Sequence, residues 1–327
     1  MMQALRGVRR LSSSSVIHTV SELSVPVPWG EIRGQVWGPD HGRHVLCLHG
    51  WADNCGTFKT LAPLLPKECR YVAMDLPGHG RSSHRPPGSF YSFPLYVMDV
   101  HRVIDALQWS KFSIIGHSMG GNIAGMYSAL YPEKVEAVIL LDSYGFLPTD
   151  VKEVPKVMRQ GMDGMLHFEK KTEVEERVYT YEKAAQRLLA ANPTLSEQSV
   201  QILLERGLVQ VEGGVKFTRD RRINLKNIMR INLQQSLEMQ SRIKASALVV
   251  LAEDGFEKIF AEKEQQKLSS ALVQGYRDRS HTVVKVPGDH HVHLNDPGRV
   301  APLVSDFLQT TVLSRSDRPT EKQTSKL

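Results

Sequence analysis

Ser118 lies at the centre of Gly116-His117-Ser118-Met119-Gly120, where a glycine stands two positions away on each side of the serine. A serine held on a sharp, strained turn needs neighbours without bulk, and this spacing supplies them. The residues before the turn, Phe112 to Ile115, are mostly apolar as in a buried strand, and helix-compatible small residues follow it. A strand, a tight turn and a helix in this order expose the hydroxyl, so the pattern predicts a catalytic nucleophile at Ser118.

A serine hydroxyl is a poor nucleophile at neutral pH, so Ser118 needs an imidazole that takes its proton during attack on a carbonyl group. Three histidines, His290, His291 and His293, lie in the loop after the last apolar strand. All three are candidates for the base on these grounds.

The elements around Ser118 alternate between apolar strands and helices. Strands apolar on both faces indicate a parallel sheet covered by helices on both sides, with ligand chemistry at the carboxyl ends of the strands. The predicted strands are an N-terminal hairpin within 22–37 and the runs 44–48, 71–75, 112–115, 135–141, 247–252 and 282–286, and the predicted helices of the core are 95–109, 258–272 and 300–313.

Residues 144–244 interrupt this alternation. They are rich in charge and helical periodicity and contain one predicted hairpin at 209–217. We interpret them as an inserted lid. The predicted organisation is therefore a flexible segment 1–21, an α/β core at 22–143 and 245–313, the lid at 144–244, and a disordered tail at 314–327.

Composition limits the classes of partner. The 327 residues are 41% hydrophobic and carry a formal charge of +6, enough to form one large core with an inserted subdomain. Most of the excess positive charge lies in the two terminal segments, and a near-neutral body argues against nucleic-acid binding. No apolar run is long enough to span a bilayer. The sequence also lacks a phosphate-binding glycine loop and zinc-ligand spacing, so no cofactor or metal is expected.

The two terminal segments carry possible targeting signals. Residues 1–21 contain no Asp or Glu and include Arg6, Arg9 and Arg10 before a serine run, which is typical of a mitochondrial transit peptide and also of a disordered N-terminus. The chain ends in Ser325-Lys326-Leu327, a peroxisomal address read by an import receptor. The expected location is the peroxisome, with the mitochondrion or cytoplasm as alternatives.

Four motifs together resemble those of the alpha/beta-hydrolases, in that family's order and at its usual spacing, and are most similar to those of the serine hydrolase-like proteins. The resemblance covers about 29–313 and implies a mostly parallel sheet, helices on both faces and a mainly helical lid. The motifs are His49-Gly50-Trp51, Met74-Asp75-Leu76-Pro77-Gly78-His79-Gly80-Arg81-Ser82, Gly116-His117-Ser118-Met119-Gly120-Gly121 and Gly288-Asp289-His290-His291-Val292-His293-Leu294-Asn295-Asp296-Pro297.

The resemblance selects His290 as the base, because the family places its histidine seven residues before the proline that is Pro297 here. His291 and His293 stay as alternatives, since Asp289 replaces a usual glycine before the histidine. The family's acid falls on Asp254, which follows the strand 247–251.

Two other acids are alternatives to Asp254, because Ala252-Glu253-Asp254 is one position shorter than the family pattern. Glu253 is adjacent to it, and Asp142 ends the preceding strand and could reach the same imidazole. The resemblance also implies that the backbone amides of Trp51 and Met119 stabilise the oxyanion.

The expected function is that of a serine hydrolase that forms an acyl-enzyme on Ser118. A serine at this turn argues against the mechanism of epoxide hydrolases and haloalkane dehalogenases, in which a carboxylate is the nucleophile. The expected small-molecule substrate is a small or medium carboxylic ester or thioester. Carbon–carbon bond hydrolysis within the same fold, and a pseudo-hydrolase that only binds a ligand or partner, are the alternatives.

Overall fold

The computed structural model describes residues 20–170, 177–259 and 263–314. Residues 1–19, which include the arginines and serines typical of a transit peptide or of a disordered N-terminus, lie outside these residues, as does the Ser325, Lys326 and Leu327 signal. Ser21, the last residue of the predicted flexible segment, begins the first strand.

An eight-stranded sheet in the order β1-β2-β4-β3-β5-β6-β9-β10 forms the body of the described chain. β1 and β2 pair with each other as a hairpin, β2 runs antiparallel to β4, and the remaining neighbours are parallel. This confirms the predicted α/β class. The strands are β1 (Ser21–Val27), β2 (Gly30–Trp37), β3 (Arg43–Leu48), β4 (Cys69–Met74), β5 (Phe112–His117), β6 (Val135–Leu141), β7 (Leu208–Val211), β8 (Gly214–Phe217), β9 (Ser246–Asp254) and β10 (Thr282–Asp289).

Helices cover both faces of the sheet because the central strands are apolar on both faces. In β3, Leu46 and Leu48 pack into the layer under α1 and α2, and Val45 and Cys47 pack into the opposite layer with α10. Burying one Leu or Val side chain contributes about 1.5–3 kcal/mol to stability. The helices are α1 (Phe93–Ala106), α2 (Met119–Leu130), α3 (Val154–Glu169), α4 (Tyr181–Ala191), α5 (Glu197–Gly207), α6 (Leu233–Ser241), α7 (Phe256–Ile259), α8 (Lys263–Asp278), α9 (Val292–Asn295) and α10 (Ala301–Leu308).

Between β6 and β9 the chain forms α3, α4, α5, α6 and a hairpin of β7 and β8. The hairpin occupies the position predicted for it. A buried ion pair fixes this inserted segment to the core: Arg206, at the end of α5, donates from Nε and Nη2 to Asp75 Oδ2 over 3.0 and 2.8 Å. Both side chains are almost completely buried, where loss of one charge would leave the other unpaired, so the contact holds α5 firmly against the loop after β4.

Across residues 20–170, 177–259 and 263–314, no helix has both the length and the apolar character required to cross a bilayer.

Candidate active site

Ser118 occupies a strained turn between β5 and α2, as the glycine spacing predicts. Its backbone has φ 51° and ψ −116°, a conformation that costs an L-residue free energy and occurs mainly at functional sites. A Cβ atom at Gly120 would lie 2.1 Å from the Leu48 carbonyl oxygen, and one at Gly116 would lie 2.4 Å from the Gly120 carbonyl oxygen. A side chain at either position would therefore force the backbone of this turn to shift, which glycine avoids.

Ser118, His290 and Asp142 form a continuous hydrogen-bonded chain. His290 Nε2 is 3.0 Å from Ser118 Oγ, and His290 Nδ1 is 2.5 Å from Asp142 Oδ2. A carboxylate only accepts, so Nδ1 carries the proton and Nε2 is left to accept from the serine hydroxyl. These two hydrogen bonds orient the His290 imidazole and select the tautomer that can remove the Ser118 proton.

The acid in this series of hydrogen bonds is Asp142, so the choice of Asp254 from sequence was wrong. Asp254 is 62% exposed and forms an ion pair with Lys258, and Glu253 is also exposed. Neither carboxylate is the hydrogen-bond partner of His290, whereas the Asp142 side chain is only 3% exposed.

The chain from residue 252 to residue 256 explains why Asp142 holds this position. The backbone N–H groups of Ala252 and Phe256 donate to Asp142 Oδ1 and Oδ2 over 2.9 and 2.7 Å. A Cβ atom at Gly255 would lie 2.2 Å from Asp142 Oδ2, so only glycine allows this approach. The segment that is one residue shorter than the family pattern therefore wraps around Asp142 and directs Asp254 outward.

The two alternative histidines lie close to His290 but have other contacts. His293 is fully buried, with Nε2 2.9 Å from Thr57 Oγ1. The His291 ring stands 5.2 Å from the His290 ring at 80°. Of these three histidines, the structure brings His290 into hydrogen-bond contact with Ser118.

Two residues that sequence reasoning missed support His290. His117 is buried, and its Nε2 is 2.8 Å from the His290 carbonyl oxygen, to which it donates. Phe256 stacks on the His290 ring at 5.4 Å and 19°. His117 directly precedes the nucleophile, a signal that the sequence offered, whereas the contact of Phe256 depends on the fold.

The loop that carries Trp51 lies against the nucleophile. A Cβ atom at Gly50 would lie 3.3 Å from Ser118 Cβ. His49 shapes this loop: its Nε2 accepts from the Leu76 N–H at 2.9 Å, and its Nδ1 donates to the Gly50 carbonyl oxygen at 2.7 Å. The Trp51 indole N–H donates to the Ile223 carbonyl oxygen at 3.0 Å, which connects the loop to the inserted segment. Met119 is the first residue of α2, directly after Ser118.

A model of the alpha/beta hydrolase fold matches residues 43–174. A serine hydrolase-like protein of Danio rerio is 54% identical over 328 residues, which covers 100% of both chains. The chain belongs to the serine hydrolase-like proteins. Serine hydrolase-like protein 2 of Homo sapiens is 36% identical and covers 92% of this chain and 98% of its own.

Among solved structures, the thioesterase domain from the curacin biosynthetic pathway is similar to this family member. It has a TM-score of 0.72 and 26% identity, and covers 88% of this chain and 99% of its own. These comparisons confirm the predicted family and the alpha/beta hydrolase fold.

Among the described residues of this serine hydrolase-like protein, five histidines are buried and have a lowered pKa. Burial lowers the pKa of His49 to about 4 and that of His79 and His291 to about 3, and it places the pKa of His117 and His293 well below the usual value. Two buried acids have the opposite shift: burial raises the pKa of Asp53 to about 7 and that of Asp99 to about 6. The unfolded chain therefore binds more protons than the folded chain near pH 5.

Acidification is expected to destabilise the fold between pH 6.5 and about pH 4. A histidine with a depressed pKa is protonated in the unfolded state below pH 6.5 and stays neutral in the folded state until its own pKa is reached, so stability falls as pH falls through this window. Each net proton contributes about 1.4 kcal/mol per pH unit, and the five histidines outnumber the two acids. Urea unfolding followed by tryptophan fluorescence from pH 4 to 7.5 measures this dependence, and a free energy of unfolding that stays constant from pH 6.5 to 5 would contradict it.

Proposed function

We propose that the chain is a serine hydrolase that cleaves small or medium carboxylic esters or thioesters through an acyl-enzyme on Ser118. The observation that carries the proposal is the hydrogen-bonded chain from Ser118 Oγ through His290 to Asp142. These are the roles that the nucleophile, base and orienting acid of a serine triad require. The likeness to a thioesterase domain supports acyl transfer as the reaction class.

In the proposed first half-reaction, Ser118 Oγ forms a bond to the substrate carbonyl carbon while His290 Nε2 takes the hydroxyl proton. The carbonyl electron pair moves to oxygen. When the tetrahedral intermediate collapses, the bond to the alkoxide or thiolate breaks and His290 returns its proton to that leaving group. Water, activated in the same way by His290, then releases the acid from Ser118.

The backbone N–H groups of Trp51 and Met119 are the proposed donors to the oxyanion. Their positions beside Ser118, one on the Gly50 loop and one at the start of α2, support this role. A helix N-terminus adds favourable partial charge for an anion at the same place. Asp142 stabilises the imidazolium that forms at each proton transfer.

The inserted segment at 144–244 is proposed to act as a lid over this site. The Trp51 to Ile223 hydrogen bond joins it to the oxyanion loop, and the Arg206 to Asp75 ion pair anchors its α5 portion. A cover of this kind excludes water from the developing charge, which strengthens the electrostatic interactions in the site.

A fluorophosphonate probe tests the proposal directly, because it reacts with a serine that a neighbouring base activates. Stoichiometric labelling is expected at Ser118, located by mass spectrometry of the labelled peptide, and Ser118→Ala is expected to abolish it. Ser241→Ala is the matched control, since Ser241 is exposed and donates only to the Glu238 carbonyl oxygen. Absence of labelling in the native protein, or labelling that persists in Ser118→Ala, would rule out the proposed nucleophile.

A further inference from the structure

A cavity of about 70 Å³ lies beside the candidate site, between the start of α1, one face of α2 and the residues that precede α6. Apart from Asn122 and Arg230, the side chains that line it are apolar. They include Phe93, Phe146 and Met229. A small apolar space with few polar groups is typical of a pocket that binds part of a small molecule.

The wall of this cavity includes the first turns of α2. Asn122 and Met126 both line it, and as residues four apart in the helix they lie on one side of α2. The Asn122 N–H donates to the Ser118 carbonyl oxygen at 3.2 Å, so the lining begins in the helical turn that directly follows the nucleophile. With a rise of about 1.5 Å per residue, it extends about 6 Å further along α2 to Met126.

Arg230 is a half-buried cation without an acidic partner in the described part of the chain. Its Nε donates to the Asn227 carbonyl oxygen at 2.5 Å, and none of the ion pairs among the described residues includes it. Burial lowers the pKa of Arg230, with no carboxylate to oppose the shift. Partial burial of a guanidinium is unfavourable unless an anion compensates it, and its planar donors suit a carboxylate or phosphate.

The neighbouring chain adds positive charge. Residues 219–230 contain five Lys or Arg side chains and one acid, Asp220, and Asp220 is already paired with Arg222. Ile223 of the same segment accepts the Trp51 indole hydrogen bond, so the segment passes next to the oxyanion loop. A basic segment at this place attracts anionic substrates toward the site.

We infer that Arg230 binds an anionic group of the substrate, a carboxylate or phosphate that a short apolar linker separates from the ester or thioester bond. The inference rests on the function proposed for Ser118 and narrows its substrate class. The anion can belong to the acyl part or to the leaving group, and the two sources require separate substrates.

Two substrate pairs distinguish these sources. The first pair compares the 4-nitrophenyl monoester of adipic acid with 4-nitrophenyl hexanoate, and only the former has a carboxylate on the acyl part. The second pair compares the hexanoyl thioester of 4-mercaptobutanoic acid with that of 1-butanethiol, and only the former has a carboxylate on the leaving group, at the end of a short apolar linker. The preference is the ratio of kcat/KM within a pair, after subtraction of the Ser118→Ala background, and this ratio does not depend on how much of a variant is folded.

Arg230→Gln is expected to lower the preference for the anionic member of at least one pair by about ten- to a hundredfold, the effect of losing a charge-assisted hydrogen bond. Arg230→Lys keeps the charge and is expected to lose less. Arg242→Gln is the matched control, because Arg242 is an exposed arginine on α6 paired with Glu238, and it should leave both preferences within about twofold. A change confined to one pair identifies the source of the anion. Preferences that stay unchanged in Arg230→Gln for both pairs overturn the inference.

Binding to Ser118→Ala tests Arg230 without catalysis. In ligand-observed NMR, monomethyl adipate is expected to bind more tightly than the uncharged methyl hexanoate, and Arg230→Gln in the Ser118→Ala background is expected to remove the difference. Equal binding of the two esters, or an advantage of monomethyl adipate that survives Arg230→Gln, contradicts the anion site. If the native protein hydrolyses none of the four substrates while binding of monomethyl adipate still depends on Arg230, the proposed hydrolysis fails and the anion site stands.

Discussion

Replacing His290 with glutamine is expected to lower kcat for 4-nitrophenyl hexanoate by about a millionfold, the scale measured when the base of a serine triad is removed. Glutamine has a similar size but cannot take up a proton, so Ser118 Oγ, 3.0 Å from His290 Nε2 in the native chain, would attack as a neutral hydroxyl. KM should change little, because the imidazole acts on the reacting atoms and not on the body of the substrate. Initial rates with both the native enzyme and the variant at saturating ester measure the effect.

His291→Gln is the matched control for this prediction. It changes the neighbouring histidine in the same way but leaves the contact of His290 with Ser118 and Asp142 in place. We expect it to retain kcat within about tenfold, the scatter expected of a buried neighbour without a role in proton transfer. Equal losses in the two variants would mean that disruption of the loop, and not loss of the base, accounts for the effect.

Asp142→Asn is expected to lower kcat by about ten-thousandfold, as replacing the acid of a serine triad does. The asparagine amide would donate toward His290 Nδ1, which forces the proton onto Nε2 and removes the acceptor that Ser118 needs. Asparagine also weakens the acceptors that hold the N–H groups of Ala252 and Phe256. Thermal unfolding of the variant, followed beside its kinetics, separates lost activity from lost structure.

Asp254→Asn tests the same substitution at the position that the sequence favoured. Asp254 is exposed and paired with Lys258 on the surface, and an exposed ion pair contributes about 0–1 kcal/mol. We therefore expect kcat to stay within about twofold of the native value. If Asp254→Asn reduced kcat as much as Asp142→Asn, the geometric assignment of the acid would be incorrect.

Local sequence was sufficient to predict the sheet and the position of the nucleophile. The runs of apolar residues in β3, β5 and β6 require burial on both faces. This requirement predicts a parallel sheet covered by helices, and it does not depend on the conformation of the loops. The turn at Ser118 is equally local, because Gly116 and Gly120 lie within two residues of the serine and their missing side chains allow the strained backbone. The family motifs reinforced these predictions.

Positions that depend on distant segments were not predictable in the same way. The nucleophile and His290 are separated by 172 residues, and sequence alone left three histidines in the loop as candidates. The support that His117 and Phe256 give to His290 depends on packing between elements far apart in the chain. The same is true of the position of Arg230 beside α2, where no acid among the described residues pairs with it.

The identity of the acid is the part of the candidate site that the sequence could not determine. Both Asp142 and Asp254 follow apolar strands, so the pattern by itself determined that a carboxylate would stand at the carboxyl edge of the sheet near His290. Which carboxylate it would be depended on the path of the shortened loop after β9. Only the tertiary structure decided this, because Gly255 allows the chain to close over Asp142, two backbone N–H groups then stabilise its charge in a buried position, and Asp254 is left in solvent.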